Sequence, residues 1–183
     1  MTKLEKAELF AKEKHSKMTR KDGTTPYFVH LESVVSRLKS MGIVNEDVLC
    51  AAFLHDTMED TNTSFDDIFE QFGRDVAILV SSLSKDAKLP KKERESQYVT
   101  QLKNAPFEAK LIKLCDIAAN LSDLKNSDLS KTKRLKTVKT KLHYLNIIKN
   151  EIMENKANVP RIQSIIDGIN DVLIHYKQKP VSI

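Results

Sequence analysis

An all-α fold follows from three features of the chain. Apolar residues recur at three- and four-residue spacing in nearly every segment, and no segment alternates over strand length. Turn formers and aromatics are also too scarce for a sheet protein, with four glycines, five prolines, no tryptophan and 6% aromatics among 183 residues. A chain of this length buries roughly 70% of its unfolded surface as one domain, so a single helical domain over 1–183 is expected.

The elements can be justified in order. Thr2 and Glu5 have the spacing of a capping box, and Leu4, Ala7, Ala11, His15 and Met18 then repeat helically. The segment 18–26 is a basic loop containing Gly23, and Pro26 suits the first turn of a second helix running through Leu31, Val34, Leu38 and Met41 to Gly42. Asn45 can cap a nearly all-apolar helix from Val48 to Leu54 that ends at His55-Asp56. After a polar loop at 61–63, Ser64 can cap a short helix closed by Gly73, and Val76, Leu79, Val80 and Leu83 mark another. A basic loop at 85–91 leads to a polar helix through Tyr98, and Pro106 opens a strongly apolar helix through Leu124. Two long helices follow, with stripes from Leu135 to Ile152 and from Ile162 to Tyr176.

Composition narrows the function classes. The N-terminus lacks the apolar stretch of a signal peptide, and no run approaches the roughly 18 apolar residues of a membrane span. A cytoplasmic protein with no membrane partner is expected, with Cys50 and Cys115 as buried free thiols. The net charge of +5 is local: residues 131–143 hold six Lys/Arg and no acid, and 85–94 hold five against two. A solvated helix face is the simple reading of the first run; a surface for a small phosphorylated ligand is the functional one. No aromatic residues are interleaved, which argues against a nucleic-acid platform.

Polar residues set into apolar helices carry the chemistry. His55 and Asp56 stand at the end of the run Val48–Leu54, and a charged pair at the edge of a core calls for a partner or a metal. Asp116 interrupts the apolar segment 111–121, with Asn120 one turn on and on the same face. His30 falls on the inward stripe of the second helix; a lone inward histidine is ordinarily a hydrogen-bonded core residue. Taken together, His30, His55, Asp56 and Asp116 are a candidate site for a divalent ion, since two neutral imidazoles and two carboxylates balance its charge and leave positions for water.

The strings PYFVH (26–30), HDTMEDT (55–61) and KLCDIAAN (113–120), in this order, resemble the HD-domain metal-dependent phosphohydrolases. More narrowly, the chain is similar to the hydrolase domain of RelA/SpoT enzymes and its stand-alone metazoan form, over roughly residues 5–150. That resemblance implies a single HD-domain helical bundle holding one metal, usually Mn²⁺, and removal of the 3′ pyrophosphate of (p)ppGpp to give GDP or GTP. It implies His30, His55, Asp56 and Asp116 as metal ligands, with Glu59 and Asp60 orienting or deprotonating the attacking water. It also implies Arg20 and Lys21 against the guanine base, Asn120 at the ribose or the metal-proximal phosphate, and Lys85 with its basic loop at the pyrophosphate. Without the resemblance, Glu59 and Asp60 read as an acidic loop capping the next helix. Ile117 and Ala119 depart from the family, which commonly carries a basic residue and a ring there. The alternatives are the same site acting on another nucleotide or phosphorylated cofactor, and, ranked below it, a nucleotide-sensing or nucleic-acid-binding module with a structural metal.

Overall fold

The computed structural model describes residues 1–183. It contains ten α-helices, two short 3₁₀ turns and no strand beyond one isolated bridge between Thr19 and Pro26. The helices are α1 (Lys3–Lys14), α2 (Phe28–Ser40), α3 (Glu46–Leu54), α4 (Thr57–Asp60), α5 (Phe65–Phe72), α6 (Arg74–Leu83), α7 (Lys91–Asn104), α8 (Phe107–Asp123), α9 (Lys131–Glu154) and α10 (Ile162–His175). The all-α expectation therefore holds.

Local sequence sets most boundaries as expected. Thr2 and Glu5 form the reciprocal capping box of α1, and Asn45 accepts from the Asp47 and Val48 amides at the start of α3. Ser64 and Asp67 form a second box on α5, which stops at Gly73 with φ +89°, a conformation that a side chain would strain. Two boundaries differ. α1 ends at Lys14 rather than reaching Met18: after His15 the amides of Ser16 and Met18 donate three residues back, to Glu13 O and His15 O, and these tight turns replace the helical bonds. α2 starts at Phe28 rather than Pro26, because the Tyr27 amide donates back to Met18 O and holds Pro26 in the bridge. The short helix α4 was not anticipated.

Helix α8 is the axis of the molecule. Twelve of its 17 residues are buried, which follows from its contacts with α2, α3, α6, α9 and α10. α1 packs on α3, α5 on α6 and α7 on α9. One continuous cluster of 48 buried apolar residues runs through the bundle. Every residue from Val48 to Leu54 in α3 belongs to it. Burying each large side chain there contributes about 1.5–3 kcal/mol, which fixes the end of α3 and hence His55. Cys50 and Cys115 are buried free thiols; burial pushes the Cys50 thiol up to about 12. No helix is long and apolar enough to cross a membrane.

Candidate metal centre and its cleft

Three helix segments deliver the centre. The end of α3 supplies His55, whose Nδ1 donates to Ala52 O at 2.8 Å, so that in the neutral ring Nε2 is the acceptor. The next residue, Asp56, opens α4 through its backbone only: its carbonyl accepts from the Asp60 amide, while its side chain makes no cap. Its carboxylate is free to turn inward, where the Tyr27 hydroxyl donates to Oδ2 at 2.6 Å. α2 contributes His30 and α8 contributes Asp116, both buried.

The four side chains meet. Ligand atoms of His30, His55 and Asp56 lie within 4.8 Å of one another. His55 Nε2 is 3.1 Å from Asp56 Oδ2 and 3.9 Å from Asp116 Oδ1, and His30 Nε2 is 3.3 Å from Asp116 Oδ1. Yet neither Nε2 atom has a hydrogen-bond partner, and both are buried. For a neutral His55 this sets a lone pair against carboxylate oxygens, which is unfavourable unless a cation lies between them. The donor set of two imidazoles and two carboxylates thus fits a divalent ion.

Asp116 is tied on its far side. Its Oδ2 receives Lys113 Nζ at 2.9 Å and Lys141 Nζ at 3.4 Å, and Asn120 Nδ2 donates to its carbonyl and to Oδ1. Burial opposes ionisation, but the two ammonium groups hold the Asp116 carboxyl well below the usual range. Lys141 lies in the basic run of 131–143, so at this position the expectation of a solvated face fails: α9 crosses α8 and carries that lysine inward. Nor does the acidic pair cap α5, which Ser64 and Asp67 do. Glu59 Oε2 instead accepts from the Lys85 amide at 3.1 Å.

A cleft of about 300 Å³ lies over the centre. Asp56, Asp116, Glu59, Asp60, Arg20, Lys21, Lys85 and Asn120 all line it, joined by Tyr27, Lys113, Lys141 and Tyr144. All the anticipated site residues except the buried His30 and His55 thus border this space, and those two sit beneath it. Arg20 donates to Asn120 Oδ1 at 3.1 Å, pairs with Asp123 at 2.8 Å and covers the Tyr27 ring. Lys85 Nζ donates to the Tyr144 hydroxyl at 2.7 Å and lies 3.5 Å from Glu95. Burial, with Asp56 and Glu59 nearby, pushes the Asp60 carboxyl up to about 6 although its side chain is open to solvent. Ile117 and Ala119 are buried in the core and do not reach the cleft.

Against known proteins, the HD-domain family profile matches residues 7–145. The chain belongs to the HD-domain family. This HD domain is 45% identical over 118 residues to the guanosine-3′,5′-bis(diphosphate) 3′-pyrophosphohydrolase MESH1 of Xenopus tropicalis, covering 63% of the chain and 66% of that protein. It is 36% identical over 122 residues to the guanosine-3′,5′-bis(diphosphate) 3′-pyrophosphohydrolase of Aquifex aeolicus, covering 67% of the chain and 17% of that protein. The matched region thus spans just under two thirds of the metazoan relative. A solved structure described as a metazoan ortholog of SpoT that hydrolyses ppGpp superposes with TM-score 0.74 at 30% identity, covering 96% of both chains. A structure from Listeria monocytogenes superposes at TM-score 0.60 and 27% identity, covering 84% of this HD domain and 97% of that chain.

Proposed function

We propose that this HD domain, acting as one unit over 1–183, is a Mn²⁺-dependent phosphohydrolase that removes the 3′ pyrophosphate of (p)ppGpp in the cytoplasm. The observation that carries the reading is the pair of unpartnered Nε2 atoms of His30 and His55 facing Asp56 and Asp116 beneath a cleft rimmed by cations. The pyrophosphohydrolase names of its relatives supply the substrate.

His30, His55, Asp56 and Asp116 would hold the ion, which when bound supplies Lewis acidity and a water of lowered pKa. In the reaction, a water oxygen bonds to the phosphorus attached to the ribose 3′ oxygen. The bond from that phosphorus to the ribose 3′ oxygen breaks, and the oxygen takes up the proton that the attacking water gives up by way of Asp60, leaving the 3′ hydroxyl of GDP or GTP and free pyrophosphate. Asp60, deprotonated above about pH 6, accepts the proton of the attacking water at its carboxylate. Glu59, anchored by the Lys85 amide, borders the same space and orients that water. Lys85, Lys113 and Lys141 place positive charge where the pyrophosphate departs. Arg20, Lys21 and Asn120 border the other side and take the base and ribose.

Asp56→Asn tests the reading. It is expected to abolish both metal retention and turnover, read by metal analysis and (p)ppGpp hydrolysis. Normal hydrolysis by that variant, purified without metal, would refute the mechanism.

A further inference from the structure

The Arg20 side chain stands on a loop, yet it is held on three sides. The Tyr27 ring lies 5.3 Å from its guanidinium carbon. Nη2 donates to Asn120 Oδ1 at 3.1 Å and to Asp123 Oδ2 at 2.8 Å, and Nε donates to the same Asp123 oxygen at 3.2 Å. The backbone is pinned as well: the Arg20 amide donates to Thr25 O at 2.7 Å, and its carbonyl accepts from the Gly23 amide at 2.9 Å. Nη1 alone among the guanidinium nitrogens makes no hydrogen bond within the chain.

Asp123 gains little for the fold by this pairing. It is the last residue of α8, whose final turn contains no basic side chain. A carboxylate there faces the negative end of the helix dipole and disfavours the helix. Its side chain is 50% exposed, so water screens the ion pair and its contribution to stability is small. What the carboxylate does accomplish is to fix the plane of Arg20. A free arginine loses rotamer freedom when it meets a ligand, whereas one already held gives up much less.

We propose that Asp123 is a positioning residue for nucleotide binding, holding the Arg20 guanidinium against Tyr27 in the orientation that the nucleotide meets. The inference rests on the phosphohydrolase reading, which gives Arg20 to the nucleotide. Asp123 acts through Arg20, since it does not border the cleft over the metal centre and lines only the adjoining pocket of about 240 Å³ on the other side of that arginine. The alternative, a pure field effect, has the opposite sign. Removing a negative charge beside a cleft for a phosphorylated ligand raises the local positive potential and tightens binding. Loss of positioning weakens it.

The test is calorimetric titration of GDP into the Mn²⁺-loaded full chain, its Asp123→Ala, Asp123→Glu and Arg20→Ala variants, and the Arg20→Ala/Asp123→Ala double variant, with circular dichroism to check folding. Asp171→Ala removes an acid at an exposed position on α10 and serves as the control. Asp123→Ala is expected to weaken GDP binding about two- to tenfold, the scale of ordering one long side chain. It is expected to raise KM for (p)ppGpp by a similar factor with kcat little changed, the pattern of lost uniform binding. Asp123→Glu restores the carboxylate and is expected to recover most of the affinity, and the control to bind like the wild type. In the Arg20→Ala background, Asp123→Ala is expected to cause no further loss. Unchanged or tighter GDP binding in Asp123→Ala would overturn the proposal, as would a further loss without Arg20 or an equal loss in the control. A chain that hydrolyses (p)ppGpp while its GDP affinity ignores Asp123 keeps the hydrolase reading and loses the positioning role. The expected GDP binding pattern in a chain that hydrolyses no (p)ppGpp does the reverse.

Discussion

The Tyr27 hydroxyl donates to Asp56 Oδ2 across 2.6 Å, the same oxygen that lies 3.1 Å from His55 Nε2. Burial and the Asp56 charge push the phenol well above its ordinary range, so it stays a donor. The His15 ring stacks on one side of Tyr27, and the Arg20 guanidinium lies over its ring. Tyr27 is therefore placed to position Asp56 in the candidate metal centre.

Tyr27→Phe removes that donor and keeps the ring. Losing a hydrogen bond to a charged group costs about 1.5–3 kcal/mol when fully buried, and somewhat less here, where the pair is part-buried. Asp56 is then free to rotate, and Mn²⁺ affinity is expected to fall about 10- to 100-fold. Calorimetric titration of the metal checks this; unchanged affinity would show that Asp56 is positioned without the phenol.

Lys141 should have an effect of opposite sign on the metal. Its ammonium group and that of Lys113 both sit on Asp116 and repel an incoming dication. Lys141→Met is expected to tighten metal binding several-fold while raising KM for the nucleotide, since Lys141 also borders the cleft. Weaker metal binding in this variant would mean that Lys141 acts mainly by packing α9 on α8.

The metal-free protein should lose stability as the pH rises from about 6.5 to about 9. Burial disfavours a charged His55, but Asp56 and Asp116 outweigh it and push the imidazole up to about 9. A group whose folded pKa exceeds its unfolded value of about 6.5 stabilises fully below the lower value and ceases to do so as pH passes the higher one. Metal binding at pH 7 must then release the His55 proton. Urea midpoints in chelator across this range, and binding heats in two buffers of different ionisation enthalpy, measure both effects. Buffer-independent heats would contradict the assignment.

Asp60 offers a kinetic counterpart. With its carboxyl raised to about 6, kcat/KM should fall as pH drops through that value, because the protonated acid cannot accept the water's proton. Asp60→Asn is expected to lower kcat about 10²- to 10⁴-fold and to flatten that limb of the profile. A limb that persists in the variant belongs to another group.

Much of this was legible in the sequence, for identifiable reasons. Capping boxes at Thr2 and Ser64 are local, and His30, His55, Asp56 and Asp116 stand out because polar residues in apolar stripes need partners. Tyr27 and Lys141 were not legible as site residues. A tyrosine on an inward stripe looks like core, and a lysine within a basic run looks like surface. Only the crossing of α9 on α8 and the turn after α3 reveal where their polar ends go. The helix α4 is four residues long, too short to leave a periodic signal.

The most direct measurement is turnover of (p)ppGpp with and without added Mn²⁺, with the products identified by phosphorus NMR. The account predicts hydrolysis only with the metal, yielding GDP or GTP together with intact pyrophosphate. Release of orthophosphate, or equal rates in the presence of a chelator, would contradict it.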